Sequence, residues 1–343
     1  MGIKNINKLL KPICKEGIFK ETLSNFSKKY IAIDISIFLY KYSCNNKKTL
    51  LEHLLFQLAH LLKLGITPLY LFDGKPSDYK MKLIAERREI FKKKKTEIDD
   101  LTARIETLMA ADKLEEADEL IQEKIKKEKT YTKINYDDVR TFKQILKLAG
   151  IFYYKCPGET DVFIKKFFDA GIIEYAITED LDFLTHGCQN VIFGYTYKDD
   201  NVVVYNLKKI LEELQLNQEQ FIDMSLMLGC DYMVKMDKVG PMTGHKLIKT
   251  HGNIETVIEK TKYNFIEECD YQTVRTLFTG EHESEQHEIT DTKNTTQIKY
   301  RDYVKNKKEI NSLINNKRIS NMLSSYLTVK KQKTKNIMTF IKK

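Results

Sequence analysis

No two cysteines in this chain are spaced C-x-x-C. The six that occur, at positions 14, 44, 156, 188, 230 and 269, are scattered, a pattern that suggests neither a zinc ribbon nor a dithiol redox motif and fits a reduced, intracellular chain. Long apolar runs are missing as well. No stretch approaches the roughly 18 residues that a membrane-spanning helix needs. The opening "MGIKNINKLL" has no apolar core of the kind a signal peptide requires. Gly2 follows Met1, but position 6 is Ile, where an N-myristoylation signal needs Ser or Thr. A soluble protein working inside the cell is the expectation. Nothing resembles a base-reading element either, so any contact with nucleic acid is expected to ignore sequence.

What is present starts with size and charge. At 343 residues the chain can bury a sizeable core, as one large α/β domain or as a main domain with an appendage. Its 57 Lys and Arg against 48 Asp and Glu give a formal net charge of +9, a bias toward a polyanionic partner that a lysine-rich solvated surface explains equally well.

Four runs rich in β-branched and aromatic residues read as buried parallel strands: "YIAIDIS" (30–36), "PLYLFDG" (68–74), "IIEYAITED" (172–180) and "NVIFGY" (190–195). Helical patterns separate several of them, notably "LLEHLLFQLAHLLKLG" before the second and "DDVRTFKQILKLAG" before the third. Such alternation predicts a doubly wound, mostly parallel α/β sheet. Between about 88 and 133 the chain is almost purely charged. Its apolar positions, Ile98, Leu101, Ile105 and Leu108, then Leu114, Leu120, Ile121 and Ile125, predict two amphipathic helices joined near Ala110–Lys113, an inserted helical hairpin. The polar stretch 280–299 reads as a loop.

In a sheet of this kind, ligands bind at the carboxyl ends of the strands. Asp34, Asp73, Asp180 and Asp182 fall at or just past those ends. Glu159 and Asp161 in "CPGETD" and Asp231 in "LGCDY" add three further candidates. Any one of them alone is more simply a turn or cap residue. Seven carboxylates converging on one point would repel one another unless cations neutralise them, and oxygen-only ligation selects magnesium or manganese over zinc.

At these residues the chain resembles the flap endonuclease and XPG-type family of structure-specific 5′ nucleases. The resemblance rests on "MGIKNINKLL", "IAIDIS", "PLYLFDGKPSDYK", "CPGETD", "TEDLDFLTHG", "LNQEQF" and "LGCDY" followed by "VGP", matched in order and spacing. It implies a PIN-like nuclease core and a pair of Mg2+ ions, for which Mn2+ can substitute. Asp34, Asp73, Glu159, Asp161, Asp180, Asp182 and Asp231 would hold them. Asp161 replaces the Glu usual in flap endonucleases, and its shorter side chain suggests contact through water. Lys80 and Arg87 match the pair that acts on the scissile phosphate.

Gly2, Tyr40, Gly240, Lys246 and Lys249 would contact DNA. Tyr40 would stack on a base at the bent junction, and "DKVGPMTGHKLIKTHG" (237–252) would form a helix-two-turn-helix that grips duplex by its backbone. Lys235 stands where the family's serine helps to hold K+, which argues against potassium there. Only 33 positions separate Tyr40 from Asp73, short for a pocket that accepts a one-nucleotide 3′ flap. The tail "TKNIMTFI" resembles a degenerate sliding-clamp box with Ile337, Phe340 and Ile341 as anchors.

The expected organisation is therefore a nuclease core over 1–87 and 134–220, an arch over 88–133, a helix-two-turn-helix region over 221–330 and a tail over 331–343. The expected protein is a monomeric, Mg2+-dependent 5′ flap endonuclease that also has 5′ to 3′ exonuclease activity, acting on branched or 5′-flapped DNA in replication, repair or recombination. A processive 5′ to 3′ exonuclease and a catalytically silent junction-binding scaffold are the alternatives.

Overall fold

The structure is a computed structural model that describes residues 2–44, 48–128, 131, 133–280, 300–314 and 316–328. The segment 281–299, read above as loop, and the clamp-like box at Ile337, Phe340 and Ile341 lie outside the described residues.

Among the described residues, seven strands form one sheet. They are β1 (Ile18–Thr22), β2 (Tyr30–Asp34), β3 (Thr67–Phe72), β4 (Tyr153–Lys155), β5 (Tyr175–Ile177), β6 (Asn190–Phe193) and β7 (Asn201–Asn206), in the order β1-β7-β6-β5-β2-β3-β4. The five strands from β6 to β4 run parallel, and β7 and β1 close one side antiparallel. The four strands expected from the sequence are β2, β3, β5 and β6, each in the buried parallel part. The sequence pattern does not mark the other three. β4 is an edge strand of three residues with only Tyr154 buried, β1 is an edge strand with exposed positions, and β7, although rich in valine, follows a turn and pairs antiparallel.

Strand residues alternate between two cores, as the period of two requires. Ala32, Leu69, Leu71, Ala176 and Val191 face one side, and Ile31, Ile33, Tyr70, Phe72, Ile177 and Ile192 the other. Burial of each large apolar side chain contributes roughly 1.5–3 kcal/mol. The first core is covered by α1 (Asn7–Ile13), together with α7 (Thr160–Asp169), α8 (Asp182–Thr185), α9 (Leu207–Leu214), α10 (Gln218–Leu228), α11 (Pro241–His251), α12 (Ile254–Lys260) and α13 (Tyr271–Thr279). The second lies under α2 (Ile35–Ser43), α3 (Leu50–Lys63), α6 (Tyr136–Leu148), α14 (Tyr300–Leu313) and α15 (Lys317–Thr328).

Local chemistry sets where these helices begin. Thr49 and Glu52 form a reciprocal capping box that starts α3. In "LNQEQF", Asn217 and Gln220 do the same for α10, so that motif is a helix start.

The remaining helices are α4 (Met81–Ala110) and α5 (Leu114–Glu128), packed against each other as a hairpin. Their joint at Ala111–Lys113 includes Asp112 in the left-handed region, φ 58°. The buried seam consists of Ile98, Leu101, Ile105 and Ala117. Leu114 and Ile125, placed on the apolar stripe by the sequence pattern, are exposed instead. Ala117 is the residue of α5 buried in the seam, and Leu114 and Ile125 near the ends of α5 stay outside it. Below, Phe91 stacks on Tyr131 with ring centroids 4.3 Å apart.

Candidate active site

Asp34 is the last residue of β2 and the N-cap of α2. Its carboxylate accepts the backbone N–H of Ser36 at 3.3 Å and the hydroxyl of Thr178 at 2.9 Å. The tip of β3 is tied to the loop after β4, where Gly74 donates to the Gly158 carbonyl at 2.8 Å. A Cβ on Gly74 would stand 2.0 Å from the Cys156 carbonyl oxygen, so only glycine allows these loops to meet. Their meeting brings Asp73 to the start of α7, where it accepts the Thr160 N–H at 3.0 Å. Glu159 and Asp161 flank that threonine. Past β5, the Asp180 carboxylate accepts the N–H of Asp182 at 3.1 Å, which turns the chain into α8 and places both acids beside the others. Asp231 follows α10.

The acids lie close enough to perturb one another strongly. Burial pushes the Asp34 carboxyl well above its ordinary value, and Asp73 and Asp180 push it further. Asp182 is raised by burial and by Asp180, Asp161 and Asp231. Asp180 is raised by burial, helped by Asp161. Burial and Asp161 raise Glu159, against the pull of Lys80. Asp161 goes the other way: burial pushes it up, but His186, 3.3 Å away, and Lys80 hold it below the usual carboxylate range. Glu179, the remaining acid of "TEDLDFLTHG", turns out of the group to Lys41 at 3.2 Å.

Two cations reach the group. Lys80, in a 3-10 turn (Asp78–Lys80) leading into α4, pairs with Glu159 and lies 3.6 Å from Asp231. One turn and more along α4, Arg87 lies 3.3 Å from both carboxylate oxygens of Asp231. The spacing after Asp73 thus brings both bases to the acids, although Lys80 sits just ahead of the helix.

The donor set is entirely oxygen, as hard divalent ions prefer. Oδ1 of Asp182 is buried without a hydrogen-bond partner, an arrangement that costs about 1–3 kcal/mol unless a cation or donor compensates it. These features fit a divalent metal. With side chains in these positions, however, no three His, Cys, Asp or Glu among the described residues converge as ligands of one ion.

The candidate DNA contacts divide into two places. Gly2 lies against the acids, where a Cβ would stand 2.1 Å from Oδ1 of Asp180 and 2.7 Å from Oδ1 of Asp182, and its φ is +85°. Tyr40, on α2, is 54 % exposed and within electrostatic reach of Arg87 and Asp73. Gly240, Lys246 and Lys249 are elsewhere: Gly240 is the N-cap of α11, with Pro241 at its first position, and both lysines are exposed on that helix.

Several residues at the acids had not been singled out. Tyr232 donates to Glu159 at 3.3 Å, and Ser77 donates to the same carboxylate at 3.1 Å. Thr160, Thr178 and His186 complete the set. Thr160 and Tyr232 each neighbour a chosen acid, so "GETD" and "CDY" carried a signal. Thr178 and His186 lie within "TEDLDFLTHG", but their contacts with Asp34 and Asp161 emerge only once the strand end and α8 are built.

Comparison with known proteins places these observations. Residues 1–95 match the model of the XPG N-terminal domain, and residues 150–231 that of the XPG I-region. Flap endonuclease 1 of Drosophila willistoni is 31 % identical over 299 residues, covering 81 % of this chain and 73 % of the fly protein. Among solved structures, the catalytic core of Rad2 in complex with DNA substrate superimposes with a TM-score of 0.66 at 18 % identity, over 95 % of this chain and 99 % of that one. The flap endonuclease-1 of Methanococcus jannaschii gives 0.61 at 19 % identity, over 91 % and 96 %. These two likenesses show the fold.

Proposed function

Because the chain belongs to the flap endonuclease and XPG family of structure-specific 5′ nucleases, we propose that it hydrolyses a phosphodiester near a single-strand to duplex junction, using two Mg2+ ions. The observation that carries this reading is the buried, mutually repelling carboxylate group with the unpartnered Oδ1 of Asp182 at its centre.

Asp34, Asp73, Glu159, Asp161, Asp180, Asp182 and Asp231 would hold the ions, directly or through water. Held by these residues, such ions would supply positive charge against the phosphate and lower the pKa of a water so that it loses a proton and becomes a nucleophile near neutral pH. Lys80 and Arg87 lie against the acids and neutralise part of their charge. When the acids are neutralised otherwise, both are free to turn to the charge that develops on the phosphate. Tyr40 offers an exposed ring for stacking on a base, which tolerates any sequence. The hairpin of α4 and α5 forms an arch for the free 5′ strand. Gly240 leaves the start of α11 open to a phosphate on the duplex, with Lys246 and Lys249 beside it. The domain limits at 87, 133, 220 and 330 belong to the same proposal.

The test is cleavage of a 5′ flap, a nicked duplex and a blunt duplex, labelled at each end, with Mg2+, Mn2+ or chelator. A flap-length product that requires the divalent ion is expected. Mononucleotides would favour a processive 5′ to 3′ exonuclease, and binding without any cut would leave a scaffold. Adding a one-nucleotide 3′ flap is expected to change the rate little.

A further inference from the structure

We propose that α1 carries a phosphate track for the duplex, along which Lys4, Lys8, Lys11 and Lys15 contact the backbone of the strand that runs from the acid pocket to α11. The proposal rests on the junction-cutting reading above.

Charge is segregated at this end of the chain. The first fifteen residues hold four lysines and no acid, although the whole chain sets 48 acids against 57 bases. All four lysines are exposed, and among the described residues no carboxylate lies within ion-pair distance of their ammonium groups. Lys15 folds back over the end of α1, where its Nζ donates to the Lys11 carbonyl at 2.9 Å. Glu213, the acid at that end, is taken up by the backbone N–H groups of Glu16 and Gly17 at 3.1 and 2.8 Å. Like charges spaced three and four residues apart oppose one another on a helix. A polyanion laid along them removes that cost.

Packing fixes where the lysines point. The other face of α1 is buried through Ile6, Leu9 and Leu10. Ahead of the helix, the Lys4 N–H donates to the Gly229 carbonyl at 3.2 Å, and within it Asn7 Oδ1 accepts from the Tyr205 hydroxyl at 2.9 Å. The chain enters α1 from Gly2, which lies against Asp180 and Asp182. Beside α1 packs α11, with Gly240 at its start and Lys246 and Lys249 exposed. Both helices cover the first core, so their outer faces lie on the same side of the sheet. A strand held by one phosphodiester at the acids and gripped again at α11 therefore crosses α1. Seven helical residues span about 10 Å, and phosphates of one strand follow at about 3.4 Å along the duplex axis, so the helix faces roughly three of them.

The experiment measures the affinity of the full chain for a 5′-flap junction in chelator, where no strand is cut, over a series of salt concentrations. Each phosphate contact adds about 0.9 to the steepness of log affinity against log salt. The double variant Lys8→Gln, Lys11→Gln is expected to bind about tenfold more weakly and with a slope shallower by about 2. Arginine at both positions should restore the wild-type slope. The control is Lys307→Gln with Lys308→Gln, the same charge change at exposed positions of α14, which covers the other core. Single phosphates of the flap-bearing strand are then replaced by neutral methylphosphonates, one at a time, through the first turn of the duplex. Over a run of about three neighbouring positions, wild type and control should lose affinity while the α1 variant, already without those contacts, loses little.

An unchanged salt slope in the α1 variant overturns the proposal. So does a methylphosphonate effect equal in variant and wild type at every position, which would leave the four lysines a solvated face. Cleavage of the same flap with Mg2+ separates this proposal from the reading beneath it. A wild type that cuts, beside an α1 variant of unchanged slope, overturns the track alone, and a wild type that neither binds nor cuts overturns both.

Discussion

The acid pocket and the hairpin of α4 and α5 use the same charged residue types under opposite conditions. In the pocket, Asp34, Asp180, Asp182 and Glu159 are buried and their carboxyls pushed up, chiefly by burial and then by one another. On the hairpin, Glu89 and Glu97 stand in water and are pulled down by hydrogen bonds from Lys92 and Lys127. The hairpin neutralises itself locally. The pocket does so only in part, through Lys80 and Arg87, and so keeps a standing demand for positive charge. Its acids come from four strand ends and from beyond α10, so the whole fold must form before the demand exists. The hairpin needs little more than its own seam.

The sharpest way to break this contrast is to lower the pocket's charge at its most demanding point. Asp182→Asn removes the charge with almost no change in volume. Single-turnover cleavage of a 5′ flap is expected to fall by about 10³-fold or more, as for a group acting in the transition state, with junction affinity held within a few fold. Normal turnover by the variant would remove the metal assignment.

Lys80 comes next. It pairs with Glu159 and approaches Asp231, and its own ammonium is held well above the ordinary value because these acids and Asp161 outweigh its burial. Lys80→Ala is expected to slow single-turnover cleavage by about 10²-fold while weakening binding by less than about threefold. Arg87, 45 % exposed as a side chain, should give a smaller loss of rate. A loss of affinity with an unchanged rate would make both plain phosphate contacts.

How far could the pocket be read from sequence? Asp34, Asp73 and Asp180 follow strands whose apolar runs are unbroken, so strand and acid are legible together. Glu159, Asp161 and Asp231 follow weak or absent strand signals, and their place came from family resemblance. Gly74 shows the limit. Its need for close approach to Cys156 depends on a loop more than 80 positions away, and no local pattern encodes such a meeting. The hairpin was legible as two helices from periodicity alone, but which apolar residues would form its seam depended on Ala117, a residue too small to stand out.

A third measurement compares the regions through stability. For carboxyls raised above their unfolded values, the folded state holds more protons than the unfolded one in the window from about pH 4 upward. Stability contributed by these groups therefore falls as pH rises through that window. Asp161 and the exposed hairpin acids, which are lowered, act in the opposite sense at more acidic pH. In chelator, the melting temperature is expected to rise on going from pH 7.5 to 6. At pH 7.5 saturating Mg2+ should raise it by about 2–4 °C for each kcal/mol of binding linkage and flatten the pH slope. Asp182→Asn should also flatten it. A slope of opposite sign in chelator would contradict the burial of uncompensated acids.

The smallest effect is expected on the hairpin. Lys127 lies 2.5 Å from Glu97 across the two helices and 3.7 Å from Glu123 along its own, a geometry that looks as strong as that of Lys80 with its acids. Water decides the difference. Glu97 and Glu123 remain well solvated, so little desolvation is recovered when the pair forms, and holding two long side chains in one geometry costs conformational entropy. Exposed pairs of this kind contribute little to stability. Lys127→Ala is therefore expected to leave the melting temperature and the cleavage rate of a 5′ flap near wild type, and what change there is should vanish in 1 M salt, where charges are screened beyond about 3 Å. Leu101→Ala supplies the control, because it opens the apolar seam, with a cost of about 2–5 kcal/mol in a well-packed core. Hydrogen exchange along α4 and α5 should report that loss while the sheet stays protected. If instead Lys127→Ala loosened the hairpin as much as Leu101→Ala, the hairpin would be held by charge, and the division drawn between it and the pocket would fail.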